Sequence, residues 1–112
     1  MITVNLAYRG GQIAEFTISG HAGYAEKGHD IYCAGVSAIA QTAVLGLAKH
    51  LEKTPRVNII EGEDALLECI LPADLNADDR YKATLILSTM ETGLLSLQEA
   101  YPQYVKVRIR RY

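Results

Sequence analysis

The sequence lacks most of the features that mark out whole classes of protein. It has two cysteines in 112 residues, in different surroundings, so no disulfide scaffold organises the chain. Neither sign of charge dominates. Eleven Lys and Arg against thirteen Asp and Glu give a formal net charge of −2, which argues against a dedicated nucleic-acid binder. The opening residues, MITVNLAYRG, have no basic start followed by a long apolar run, and no secretory leader is expected. The longest apolar stretch, 31–51, is interrupted by Ser37, Gln41, Thr42 and Lys49 and begins beside Asp30. It reads as the buried helix of a soluble domain rather than as a membrane span. No linker, low-complexity tract or residue-level repeat divides the chain. With 49% apolar residues a sizeable core can form, and one domain over 1–112 is expected. The expected compartment is the cytoplasm, where thiols stay reduced.

What the sequence does have is alternation. Ile2, Val4, Leu6 and Tyr8 recur with period two and predict a half-buried strand. Gly10-Gly11 supplies a hairpin turn, and Ala14, Phe16 and Ile18 predict the return strand, ending at Gly20. Residues 31–51 follow as a helix rich in Ala and Gly, apolar on most sides. Such a helix is expected to be covered on two sides, by the sheet and by something else. Thr54-Pro55 breaks the chain. Val57 and Ile59, then Ala65, Leu67, Cys69 and Leu71, predict two more strands around a turn at Gly62-Glu63-Asp64. Ala83, Ile86, Leu87, Met90, Leu94, Leu97 and Tyr101 form one helical stripe within 77–100. Val105, Val107 and Ile109 predict a last strand. The order is strand-strand-helix-strand-strand-helix-strand. Its hairpins favour an α+β fold: a mainly antiparallel sheet of about five strands with two helices packed on it.

The chemistry concentrates in GHAGYAEKGHDIYCAGVSA, from Gly20 to Ala38. Asp30 is a good N-cap, because its carboxylate can accept the free N–H groups of the first turn. Cys33 then becomes the third residue of the helix, beside unpaired amides and the positive end of the helix dipole. Both favour thiolate over thiol, and the same amides could hold an oxyanion during attack on a carbonyl. Ser37 lies one turn further on the same face. A thiol doing acyl transfer needs a base that later protonates the leaving amine, and His21 and His29 are the two candidates. The loop between them carries Gly23 and Gly28, which are expected to serve as hinges. Cys69, on a strand among apolar neighbours, reads as a packing residue. The same cluster offers a rival: His21, His29, Asp30 and Cys33 could ligate zinc, although their spacing matches no common zinc pattern.

At these residues the chain resembles the ribosomal-processing cysteine protease (Prp) family. The match reads Gly20-His21-Ala22, then Gly28-x-Asp30-Ile31-x-Cys33-Ala34 and Ser37, with an intervening loop of the family's length. Outside 20–38 the likeness is one of pattern and length. The resemblance implies a cysteine endopeptidase that removes a short N-terminal extension from a bacterial large-subunit ribosomal protein. It places the nucleophile on Cys33 and the base on His21, and puts Gly20, Asp30 and Ser37 at supporting positions. It makes the loop containing Ala22, Gly23, Gly28 and His29 a cover over the substrate cleft. It implies a homodimer, no cofactor and no metal, and neither a membrane nor a direct nucleic-acid partner. The alternative is a non-enzymatic ribosome- or RNA-associated protein, using Lys106, Arg108, Arg110 and Arg111 on the last strand, or else a zinc-binding domain. Acidic residues at Glu61, Glu63, Asp64 and Glu68, and at Asp74, Asp78 and Asp79, read as solvated turns and a helix start. A basic substrate could also be steered by them.

Overall fold

The structure, a computed structural model, describes residues 1–21, 30–62 and 65–112. Strands β1 (Ile2–Arg9) and β2 (Gln12–Gly20) form the expected hairpin. Helix α1 (Ile31–His50), strands β3 (Arg56–Ile60) and β4 (Leu66–Ile70), helix α2 (Ala77–Ala100) and strand β5 (Val105–Arg111) follow. The five strands form one sheet in the order β3-β4-β2-β1-β5. Three pairings are antiparallel, and β5 runs parallel to β1. The chain reaches that position through α2 and a short turn in which Tyr101 O accepts from Tyr104 N and Val105 N.

One detail of β2 departs from simple alternation. Leu6 pairs with Phe16, but Tyr8 pairs with Ile13, so Ala14 falls in a bulge. The extra residue turns Ile13, not Ala14, towards the core. The core fills one side of the sheet. Ile2, Val4 and Leu6 of β1, Phe16 of β2 and Val105 of β5 meet Val36, Ala40 and Leu47 of α1 and Leu87, Met90 and Leu94 of α2. Each fully buried Leu or Phe contributes about 1.5–3 kcal/mol. The α2 stripe read from the sequence is the face that packs, and Tyr101 at its end remains partly exposed.

The two helices approach closely because small residues face branched ones. A Cβ on Gly46 would lie 3.7 Å from Ile86, and one on Gly93 would lie 3.6 Å from Ile39. The exit from α1 is fastened by a buried carboxylate. Asp79 is 2% exposed, and its Oδ2 accepts from Glu52 N at 2.9 Å and Lys53 N at 3.3 Å. The expected solvated helix start therefore fails at this residue: a tertiary contact to the other helix buries it. Helix α1 is long and apolar enough to cross a membrane, yet Val36, Ala40, Ala43 and Leu47 pack into the core. Its opposite side stays open, with Leu45 69% exposed. The sheet and α2 supply the two expected coverings, and a third face of α1 is left open.

Candidate active site

The site is built where β2 ends and α1 begins. Gly20 has φ +84, a conformation that L side chains rarely adopt, and a Cβ there would collide with the Met1 carbonyl oxygen. A glycine is what lets β2 stay paired with Ile2 up to the residue before His21. The His21 carbonyl accepts from the Met1 amine. Its ring reaches across to the β3–β4 turn, where Nε2 lies 3.2 Å from the Gly62 carbonyl oxygen.

On the other side, Asp30 is the N-cap read from the sequence. It is 7% exposed, and its Oδ1 accepts from Tyr32 N at 3.0 Å and Cys33 N at 3.1 Å. Ala34 N bonds to the Asp30 carbonyl at 3.0 Å and starts the helix ladder. Beyond the cap no acidic residue stands in the first turn, and the half-buried Cys33 sits between the positive end of the helix dipole and the Asp30 carboxylate. The cap also changes one expectation. Two first-turn amides offered as oxyanion donors are engaged by the Asp30 carboxylate, so the helix contributes through its dipole rather than through those two N–H groups. Aromatic contacts hold this turn in place: the Tyr32 ring stacks on Tyr104 with centroids 4.3 Å apart and tilts against Tyr101 at 4.8 Å.

Cys33, His21, Gly20 and Ser37 line one cleft of about 370 Å³. Its walls are apolar: Ile2 and Ile18 from the hairpin, Val36 from α1, Ile59 and Ile60 from β3, and Leu66 and Leu67 from β4. Ile59 and Ile60 are 60% and 52% exposed on a strand at the edge of the sheet. Such a wall suits an extended peptide with apolar side chains. Ser37 Oγ accepts from Gln41 Nε2 at 2.6 Å. Cys33, Ser37 and Gln41 recur every four residues on one face of α1, a spacing that could have flagged Gln41. Glu61 and Gly62 also line the cleft, and no spacing in the sequence points to them.

The remaining candidates sort cleanly. Cys69 is buried, and burial pushes its thiol up to about 12, which makes it inert at neutral pH. Ala22, Gly23, Gly28 and His29 lie outside the described residues. Among the described residues no group of three His, Cys, Asp or Glu side chains is placed to hold a metal ion. Lys106, Arg108 and Arg110 are exposed on β5, alternating with buried or outward aliphatic residues, and Arg111 lies over the Tyr8 ring at 4.5 Å. None of these cations lines the cleft.

A model of the family described as cysteine protease Prp matches residues 1–106. The chain belongs to the cysteine protease Prp family. It is 31% identical over 111 residues to the ribosomal processing cysteine protease Prp of Staphylococcus aureus, covering 98% of this chain and 100% of the relative. The Prp of Bacillus subtilis is 32% identical over 96 residues, with 85% of this chain and 84% of the relative covered. Among solved structures, a Streptococcus mutans protein superposes with a TM-score of 0.86 at 26% identity, covering 100% of this chain and 96% of that one. The S. aureus Prp in complex with a covalently linked product peptide gives a TM-score of 0.84 at 28% identity, covering 98% and 100%. The Prp fold is therefore the fold of this chain, and the chain is a cysteine protease.

Proposed function

We propose that this Prp-family protease removes a short N-terminal extension from a large-subunit ribosomal protein, with Cys33 as nucleophile and His21 as base. The observation that carries the reading is a cysteine at a capped helix N-terminus and a histidine at a strand end, lining one apolar cleft. Cys33 Sγ gives its proton to His21 and attacks the scissile carbonyl, forming a C–S bond. His21 passes the proton to the amide nitrogen as the C–N bond breaks, and the new N-terminus leaves. Water then loses a proton to His21, attacks the thioester and releases the acyl chain, and the proton returns to sulfur. Asp30 holds the first turn in which Cys33 stands, and Gly20 lets β2 run up to His21. Ser37 and Gln41 extend the same helix face along the cleft. No cofactor takes part in this sequence. A covalently linked product peptide on the S. aureus relative suits a mechanism with a covalent step. The cytoplasm suits two free thiols.

The chain acts as a homodimer in this reading. A groove of about 650 Å³ between α1 and α2, with Ile39, Gly46, Leu85, Ile86 and Met90 in its lining, and the outward Leu45 supply an apolar face for a second copy. Sedimentation equilibrium should give twice the chain mass of 12.3 kDa, and a single-chain mass at tens of micromolar would remove this part of the proposal. The activity is tested by incubating the protein with an extended ribosomal protein and reading masses. One cut in the N-terminal segment, with a transient acyl adduct on the Cys33 peptide, is expected. An intact substrate beside folded, reduced enzyme would overturn it.

A further inference from the structure

The contact between His21 and the β3–β4 turn has a consequence for how the base works. A carbonyl oxygen can only accept a hydrogen bond. The His21 Nε2 atom, 3.2 Å from the Gly62 oxygen, must therefore carry the hydrogen even when the ring is neutral. The lone pair of the neutral ring is then on Nδ1. Among the described residues the Gly62 carbonyl is the ring's one hydrogen-bond partner. The cap carboxylate of Asp30 directs Oδ1 at the backbone amides of Tyr32 and Cys33. Glu61 lines the cleft but is not hydrogen-bonded to the ring.

We propose that the Gly62 backbone carbonyl is the positioning group for the base, holding His21 as the Nε2–H tautomer so that Nδ1 accepts the Cys33 proton. The proposal rests on the protease reading given above. In the forward step the S–H bond breaks and an Nδ1–H bond forms. In the next step Nδ1–H breaks and the proton joins the leaving nitrogen. Nε2–H stays in place throughout, and the carbonyl dipole steadies the ring while it is a cation. A neutral carbonyl does this without adding a negative charge that would compete for the proton. The glycine is part of the device. Gly62 has φ +112, and a Cβ there would meet nothing within 4 Å. The requirement for glycine is thus conformational, and a side chain would shift the backbone that presents the oxygen.

The test has two arms. The first records long-range 15N spectra of the histidine rings in folded Cys33→Ala protein, with the His21 signals assigned by their loss in His21→Gln. A pyrrole-type Nε2 and a pyridine-type Nδ1 are expected at a pH where the ring is neutral, and the opposite tautomer overturns the proposal. The second arm compares Gly62→Ala with Gly11→Ala in the protein with Cys33 intact. Gly11, at φ +79 in the β1–β2 turn, makes a similar backbone demand with nothing within 4 Å. Gly62→Ala should lower kcat about 10-fold, the worth of one hydrogen bond, with KM changed less than about twofold. Gly11→Ala should leave both alone. Wild-type kcat in a folded Gly62→Ala protein overturns the proposal, and if that variant fails to fold the spectra decide alone. The spectra need no turnover, so absent cleavage by the wild type would sink the protease reading while the tautomer result stands.

Discussion

Replacing Asp30 separates two roles that one carboxylate can play. Both of its described cap bonds, from Tyr32 N and Cys33 N, end on the same oxygen, Oδ1. An asparagine whose amide oxygen occupies that position keeps both bonds and removes the charge. An alanine removes both. N-cap measurements rank Asn and Asp as equals and put the loss to Ala at about 0.5–2 kcal/mol. Asp30→Asn should therefore unfold in urea within about 0.5 kcal/mol of wild type, and Asp30→Ala about 1–2 kcal/mol below it. If the cap serves catalysis only by holding the turn that carries Cys33, activity should track it. A first turn weakened by about 1–2 kcal/mol lowers kcat by no more than about 5- to 30-fold, and Asp30→Asn stays near wild type. Urea curves and peptide-cleavage rates on the three proteins make the comparison. An Asp30→Asn protein as stable as wild type but as inactive as Asp30→Ala would refute the argument, because it would show the negative charge acting in the chemistry.

Two further outcomes follow from buried groups. Asp79→Ala deletes an acceptor shared by Glu52 N and Lys53 N and should cost about 2–4 kcal/mol of stability with the cleavage site intact; a change below 0.5 kcal/mol in urea, on the order of a surface substitution, would remove Asp79 from the account of how the helices are joined. Iodoacetamide at pH 8 should label Cys33 and leave Cys69, whose thiol burial pushes up to about 12, and equal labelling of the folded protein would contradict that assignment. The same raised value gives a sign. Between the ordinary thiol value of 9.0 and about 12 the folded chain keeps a proton that the unfolded chain releases, so Cys69 makes stability fall as pH rises through that window. A Cys69→Ala protein should lose this part of the alkaline decline, measured as urea midpoints from pH 8 to 11.

The parts of the fold legible in the sequence were those written in local patterns. Asp30 as cap, the limits of α2 and its buried stripe, and the hairpin at Gly10-Gly11 each rest on chemistry within a few residues. Cys33 was separable from Cys69 for the same reason, since one follows a cap and the other alternates along a strand. The bulge at Ala14 was not legible, because a bulge changes pairing without altering composition. Nor was the parallel seating of β5 against β1, which depends on where α2 returns the chain. Asp79 looked like any acidic residue in a first helical turn, and only the packing of α1 against α2 brings two amides to it. The Gly62 carbonyl that meets His21 is a backbone group some forty residues away in the chain, and no side-chain pattern announces it. Residue spacing left His21 and His29 as equal candidates for the base. The described structure seats His21 in the cleft with Cys33, while His29 lies outside the described residues.

The account stands or falls on Cys33 and His21 acting as a pair. The most direct measurement is a time course of cleavage of one extended ribosomal-protein peptide by wild type, Cys33→Ala and His21→Ala, with circular dichroism of each protein recorded alongside. The predicted result is a single cut by wild type, none above background by Cys33→Ala, and a rate lowered about 10²–10⁴-fold in His21→Ala, all with unchanged spectra. A folded His21→Ala protein cutting at the wild-type rate, or any site-specific cutting by Cys33→Ala, would contradict it.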